Sequence, residues 1–109
     1  MRSGIVRVAG IRAGRIEETP KGFRFSYDPD YLTRNDAVAV SLTLPLQAEP
    51  FDSLHLFAFF EGLLSEGSLR SMQSRKYKID EDDSFGFLLR TASADVIGNV
   101  TVESEEEKT

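Results

Sequence analysis

Apolar residues recur at every second position near both ends of this chain and at every third and fourth position in its middle. That change of period restricts the fold more than any other feature, because alternation marks a strand with one buried face and the longer spacing marks an amphipathic helix. Phe23, Phe25 and Tyr27 alternate with Arg24 and Ser26, and Asp28-Pro29-Asp30 ends the run, since proline cannot continue a ladder. Val38, Val40, Leu42 and Leu44 alternate with Ala39, Ser41 and Thr43, which predicts the clearest strand of the chain, stopped by Pro45. Upstream, residues 4–9 and 11–16 are short β-rich runs punctuated by Gly10 and Gly14, and a bend near Ala9-Gly10 pairs them as a hairpin. Thr19-Pro20-Lys21-Gly22 is a turn signal. Near the far end, Val96, Gly98, Val100 and Val102 alternate as a closing strand.

The middle reads as helix. Asp52 is placed as an N-cap, with Phe51 before it and Leu56 four positions on, the spacing of a hydrophobic staple. Leu56, Phe59, Phe60, Leu63 and Leu64 follow at helical spacing, and Ser65-Glu66-Gly67 breaks the pattern. A second, more polar helix is predicted from Ser68 to Lys76 with Leu69 and Met72 inward. A third is predicted from Asp83 to Ala92, where Phe85, Leu88, Leu89 and Ala92 share a face. Glu81, Asp82 and Asp83 at its start and Arg90 near its end suit the helix dipole. A strand that returns after helices pairs with an early strand. The expected fold is therefore α+β: a small, mainly antiparallel sheet or open barrel of about five strands packed with two to three helices. Residues 1–103 are expected to form one domain, and 104–109, without an apolar residue, a disordered acidic tail. Phe25, Leu42, Phe60, Leu88 and Val100 are the expected core.

At 109 residues the chain can bury a core without staples. It has no cysteine, which removes disulfides, thiolate catalysis and zinc–thiolate sites and fits a cytoplasmic setting. No run approaches the roughly 18 apolar residues of a membrane helix, and the opening MRSGIVRVAG lacks the apolar stretch of a signal peptide. Of the net charge of −5, −3 sits in the last seven residues, so the remainder is nearly balanced and offers no general attraction for a phosphate backbone.

Chemistry is thinly represented. His55 stands alone, without partners at metal-ligand spacing, and reads as a partly buried residue on a helix. There is no G-x-S-x-G, no phosphate-cradling glycine loop and no kinase catalytic signature. Asp95 reads as a turn or cap residue. The run Asp80-Glu81-Asp82-Asp83 lacks the alternate spacing and turn glycine of a calcium loop and fits a helix start better. No catalytic residue, cofactor or metal is expected. Arg70, Arg75, Lys76 and Lys78 make a local basic stretch in an acidic chain, either a solvated helix face or a patch for an acidic partner. Leu54 and Phe57 flank a helix that is apolar almost all round, so it needs cover on more than one side.

Five segments in order resemble the HipA N-terminal domain family. These are Phe23-Arg24-Phe25-Ser26-Tyr27-Asp28 with Tyr31-Leu32; Ser41-Leu42-Thr43-Leu44-Pro45-Leu46; Phe59-Phe60-Glu61-Gly62-Leu63-Leu64-Ser65-Glu66-Gly67; Phe85-Gly86-Phe87-Leu88-Leu89; and Ala94-Asp95-Val96-Ile97-Gly98-Asn99-Val100. The similarity runs from about residue 4 to 103. In that family the domain precedes a kinase body that phosphorylates protein serine or threonine, and here the chain ends where the kinase is expected to begin. A free-standing copy resembles the HipS class, the small proteins of three-gene HipBST toxin–antitoxin systems. The resemblance implies a bacterial, cytoplasmic antitoxin that binds and inhibits a HipT- or HipA-type kinase, or alternatively an adaptor that links the kinase to a HipB-like helix-turn-helix protein. Either role implies no direct contact with nucleic acid or membrane. The expected contact surface is the loop Gly62, Leu63, Leu64, Ser65, Glu66, Gly67 and the helix after it, with Leu69, Arg70 and Arg75. Ser65 departs from the family's usual proline and leaves that loop freer, or caps the next helix.

Overall fold

The first two strands meet at a turn that needs left-handed backbone at two successive residues. In the computed structural model, which describes residues 1–93 and 99–105, β1 (Ser3–Val8) and β2 (Ile11–Thr19) pair antiparallel with Val8 opposite Ile11. Ala9 and Gly10 between them have φ of 51° and 83°, the double positive φ whose twist matches that of the flanking strands. The register shifts between Val6↔Gly14 and Arg7↔Arg12, leaving Ala13 as an extra, buried residue; such a bulge bends the strand.

Thr19 closes the next turn, its Oγ1 accepting the N–H groups of Lys21 and Gly22 at 3.3 and 3.0 Å. β3 (Gly22–Tyr27) returns beside β2. It passes so close to Gly14 that a Cβ there would stand 2.3 Å from the Ser26 carbonyl oxygen, so only glycine fits. Phe25 and Tyr27 are buried as their alternation predicts, and Phe23 meets Phe85 edge-on at 5.4 Å. Asp28 and Pro29 end the strand and start α1 (Pro29–Leu32), with proline in the first turn, where its missing N–H is not needed.

The remaining elements are β4 (Phe51–Ser53), α2 (Ala58–Glu61), α3 (Gly67–Tyr77), α4 (Ser84–Thr91) and β5 (Val100–Ser104). The sheet is antiparallel throughout, in the order β4-β3-β2-β1-β5, and is not closed. The closing strand does return to an early one: Val102 lies opposite Val6. One core joins Val6, Ile16, Phe25 and Val102 of the sheet to Phe60 of α2 and Phe85, Phe87 and Leu88 of α4, all under 3 % exposed. The α+β expectation and the pairing of the last strand therefore hold.

Four local expectations do not. The segment from Val38 to Leu44 is not a strand. The position beside β3 is taken by β4, and the chain instead folds into a tight turn in which the Leu44 N–H reaches the Ser41 carbonyl at 3.0 Å. Val40 and Leu44 are buried, but Val38 is exposed and Leu42 fully so, which removes Leu42 from the core. The helix expected from Asp52 is likewise absent at its start. Asp52 lies in β4 opposite Arg24, whose Nε donates to it at 2.7 Å, so it caps nothing. Only the single turn α2 forms, and His55 is exposed in the bend before it and is not on a helix. Leu69 and Met72 face outward, as the next section describes. Finally, β5 continues through Ser104, and Glu105 accepts hydrogen bonds from Ser3 Oγ and Arg15 Nε, both at 2.7 Å, so the first two residues assigned to the tail belong to the sheet edge. Asp95, residues 96–98 of the expected strand and residues 106–109 lie outside the described residues.

Candidate protein-interaction site

The helix α3 contributes no buried residue to the core, although it is eleven residues long. It is held to the body by polar and cation–π contacts. The Arg70 Nε and Nη2 donate to the Glu81 carbonyl at 3.1 and 2.6 Å, and Nη2 also donates to Ser84 Oγ at 3.2 Å. Its guanidinium carbon lies 4.5 Å from the centroid of the buried Phe87 ring, an attraction of about 0.5–2 kcal/mol depending on desolvation. Ser74 Oγ donates to the Ile79 carbonyl at 2.5 Å, and Arg90 sits 4.4 Å over the Tyr77 ring. Lys78, in the left-handed conformation with φ 59°, ends the helix and returns its N–H to the Ser74 carbonyl.

The opposite side of α3 carries its apolar residues. At roughly 100° per residue, Met72 lies about half a turn round from Arg70 and Ser74. Leu69 is 51 % and Met72 57 % exposed. With Gln73, Arg75, Lys76 and Tyr77 they line an open groove of about 510 Å³. Two apolar side chains thus stay in water on a mostly polar helix, where a helix serving its own core would bury them, each worth about 1.5–3 kcal/mol when fully buried. Between Gly67 and Lys78 the chain has four cations, Arg70, Arg75, Lys76 and Lys78, and no carboxylate, in a chain of net charge −5. Among the described residues the salt bridges fall elsewhere and use none of these four.

The loop before α3 is divided. Gly62 caps α2 and is exposed, while Leu63 is half-buried against the core and Leu64 is buried. Ser65 is half-buried, and its Oγ accepts from Gln73 Nε2 at 3.4 Å; Glu66, not Ser65, is the N-cap of α3, and no side chain caps that end. Gly67 is exposed with φ 62°. Of the residues expected to make contact, Gly62, Glu66, Gly67, Leu69 and Arg75 are exposed, Leu63 and Ser65 are half-buried, Leu64 points inward, and the head of Arg70 turns toward α4; the groove on α3 takes in Leu69 and Arg75 and none of the loop Gly62–Gly67. Met72 and Lys76 are exposed with Leu69, although the helical spacing predicts both Leu69 and Met72 inside. The available signal was the brevity of the apolar stripe, which Gln73 and Lys76 interrupt where a core-facing helix continues it.

The ionisable groups elsewhere are structural. Arg2 bridges Glu18 at 2.7 Å and Asp83 at 2.8 Å. Hydrogen bonds from its guanidinium hold both carboxyl groups below their usual range. Asp83 also accepts the Gly86 N–H at 3.0 Å, which makes it the N-cap of α4 and confirms the helix-start reading of the acidic run. Burial pushes the Tyr27 hydroxyl up. Among the described residues no group of His, Asp and Glu is placed to hold a metal ion, and no helix is long and apolar enough to cross a membrane.

Comparison with known proteins agrees with this architecture. The family model of the HipA N-terminal domain matches residues 4–103. An uncharacterised protein of Haemophilus influenzae strain Rd is 36 % identical over 107 residues, spanning 98 % of this chain and 96 % of that protein. A solved structure described as the N-terminal domain of HipA toxin superposes with a TM-score of 0.73 at 35 % identity, covering 99 % of this chain and 96 % of the other. A match over nearly the whole length, in sequence and in structure alike, settles the family: this chain belongs to the HipA N-terminal domain family.

Proposed function

We propose that this domain acts by binding a HipA- or HipT-type serine/threonine kinase and restraining it, as an antitoxin of the HipS kind. Its role is steric: it occludes the kinase or holds an inactive conformation, and it performs no catalysis itself. The observation that carries the reading is the outward exposure of Leu69 and Met72 on α3 in a domain of this family, where they line one groove with Arg75. Neighbouring exposed apolar side chains rimmed by polar groups are one mark of a protein-binding surface.

Autophosphorylation of a HipA-type kinase from the same genome tests this, with and without an excess of this protein, alongside a pull-down of the pair. Association with loss of kinase activity is the expected result. Association with undiminished activity replaces inhibition by the adaptor role, in which the domain joins the kinase to a HipB-like helix-turn-helix protein. Absence of association removes both.

A further inference from the structure

The two faces of α3 divide labour in a way that specifies the chemistry of the partner surface. We infer that the outer face of α3, with Leu69 and Met72 as apolar anchors and Arg75 and Lys76 as flanking cations, docks into an apolar recess rimmed by carboxylates on the partner protein; this rests on the kinase-binding reading above. Three observations lead there. The inner face is committed: Arg70 is spent on the Glu81 carbonyl, Ser84 and Phe87, and so positions the helix without reaching outward. The outer face is open, since Leu69 and Met72 are half exposed at i and i+3 and border one groove with Arg75 and Lys76. The charge is one-signed: no Asp or Glu lies between Gly67 and Lys78, whereas the chain as a whole is at −5.

A purely basic helix face is also what a nucleic acid attracts, but two large apolar side chains at its centre are not. Phosphate contacts want cations and polar donors, and the net charge of the chain opposes them. An apolar floor removes Leu69 and Met72 from water, and carboxylates at its edge complement Arg75 and Lys76. Such rim charges act mainly on association rate and its salt dependence, while the buried anchors hold the complex.

The test measures the affinity of the full chain for a HipA-type kinase from the same genome at two salt concentrations. Two double variants are compared with the native protein: Leu69→Asp with Met72→Asp, and Arg75→Glu with Lys76→Glu. Because α3 buries no residue, both should keep the native circular dichroism and melting temperature. We expect the apolar pair to weaken binding by about thirtyfold or more at either salt. The charge pair should weaken it chiefly at low salt and flatten the salt dependence. If the native protein binds and both variants bind equally well, the docking face lies elsewhere while the kinase-binding reading stands. If the native protein does not bind, both fall together. Binding of a short DNA duplex that the charge pair abolishes and the apolar pair leaves intact would overturn the protein-recess assignment in favour of phosphate.

Discussion

The buried hydroxyl of Tyr27 accepts the backbone N–H of Val40 at 3.0 Å and donates in turn to the Leu44 carbonyl. One side chain of β3 thereby satisfies both ends of a loop that pairs with no strand. Tyr31 does the same one step outward, accepting the Val38 N–H at 3.0 Å and donating to the Val38 carbonyl at 2.8 Å. Replacing Tyr27 with phenylalanine leaves a buried donor and acceptor without partners, at about 1–3 kcal/mol for each unsatisfied group. We expect Tyr27→Phe to destabilise by about 2 kcal/mol or more. Tyr31→Phe, whose partner Val38 is open to water, should cost about 1 kcal/mol or less. Urea unfolding of the two variants checks the order; equal losses would contradict it.

This pair of tyrosines also explains why the sequence misleads here. Alternation at Val38, Val40, Leu42 and Leu44 is real, and the structure buries Val40 and Leu44. What alternation cannot reveal is whether a neighbouring edge is free, and β4 occupies the edge of β3. The first hairpin, β3 and α4 were legible because their signals are local: the Gly10 turn, the period of Phe25 and Tyr27, and the acidic start before Phe85. The helix expected from Asp52 failed for the opposite reason: its staple signal is local, whereas Phe51–Ser53 pairs along β3 with residues distant in sequence, Asp52 lying opposite Arg24. The exposed side of α3, the proposed interaction face, was half legible. Charge placed Arg75 outside, but the direction of Leu69 and Met72 depends on Arg70 finding Phe87, a contact that no spacing rule contains.

The cluster of Arg2, Glu18 and Asp83 makes stability fall in acid. Hydrogen bonds from Arg2 lower both carboxyl groups from their ordinary values of 4.5 and 3.8 in the folded state. As pH drops, the unfolded chain takes up these protons first, so the stabilisation is complete above those ordinary values and is lost as pH falls through the folded ones. Arg2 itself is raised and stays charged throughout. We expect Arg2→Met to cost about 1 kcal/mol near neutral pH, discounted for side chains that remain roughly a third exposed. The variant should also lose stability less steeply between about pH 5 and about pH 3. The slope is softened, not abolished, because Arg15 and Ser3 lower Glu105 in the same direction. Parallel urea midpoints for the variant and the native protein across that range would rule out the linkage.

Solvent-facing apolar residues on α3 predict a sharp contrast with the core. Leu69→Gln and Met72→Gln should change folding stability by no more than about 0.5 kcal/mol, as for other surface substitutions. Phe60→Ala, at a side chain with no exposure that touches Phe25, Phe57 and Phe59, should cost about 3–5 kcal/mol. Thermal or chemical denaturation separates these outcomes. A large loss at Met72 would mean that α3 packs by its apolar side after all.

Ala9 offers a gain instead of a loss. Its φ of 51° is left-handed, where a Cβ approaches the following carbonyl and costs about 1–2 kcal/mol. The next residue, Gly10, meets the same demand at no cost, and the pair forms the two-residue turn between Val8 and Ile11. Asparagine tolerates this conformation, and Asn-Gly is the favoured pair for such a turn. The Ala9 N–H reaches the Asn99 carbonyl at 2.8 Å, a contact that does not involve the side chain. Ala9→Asn should therefore stabilise the domain by about 0.5–1 kcal/mol, read as a higher urea midpoint with an unchanged slope. Ala9→Pro, which fixes φ near −65° and removes the N–H that reaches Asn99, should destabilise it. If the asparagine variant lost stability instead, the turn would not have the double left-handed geometry that sets the register of β1 against β2.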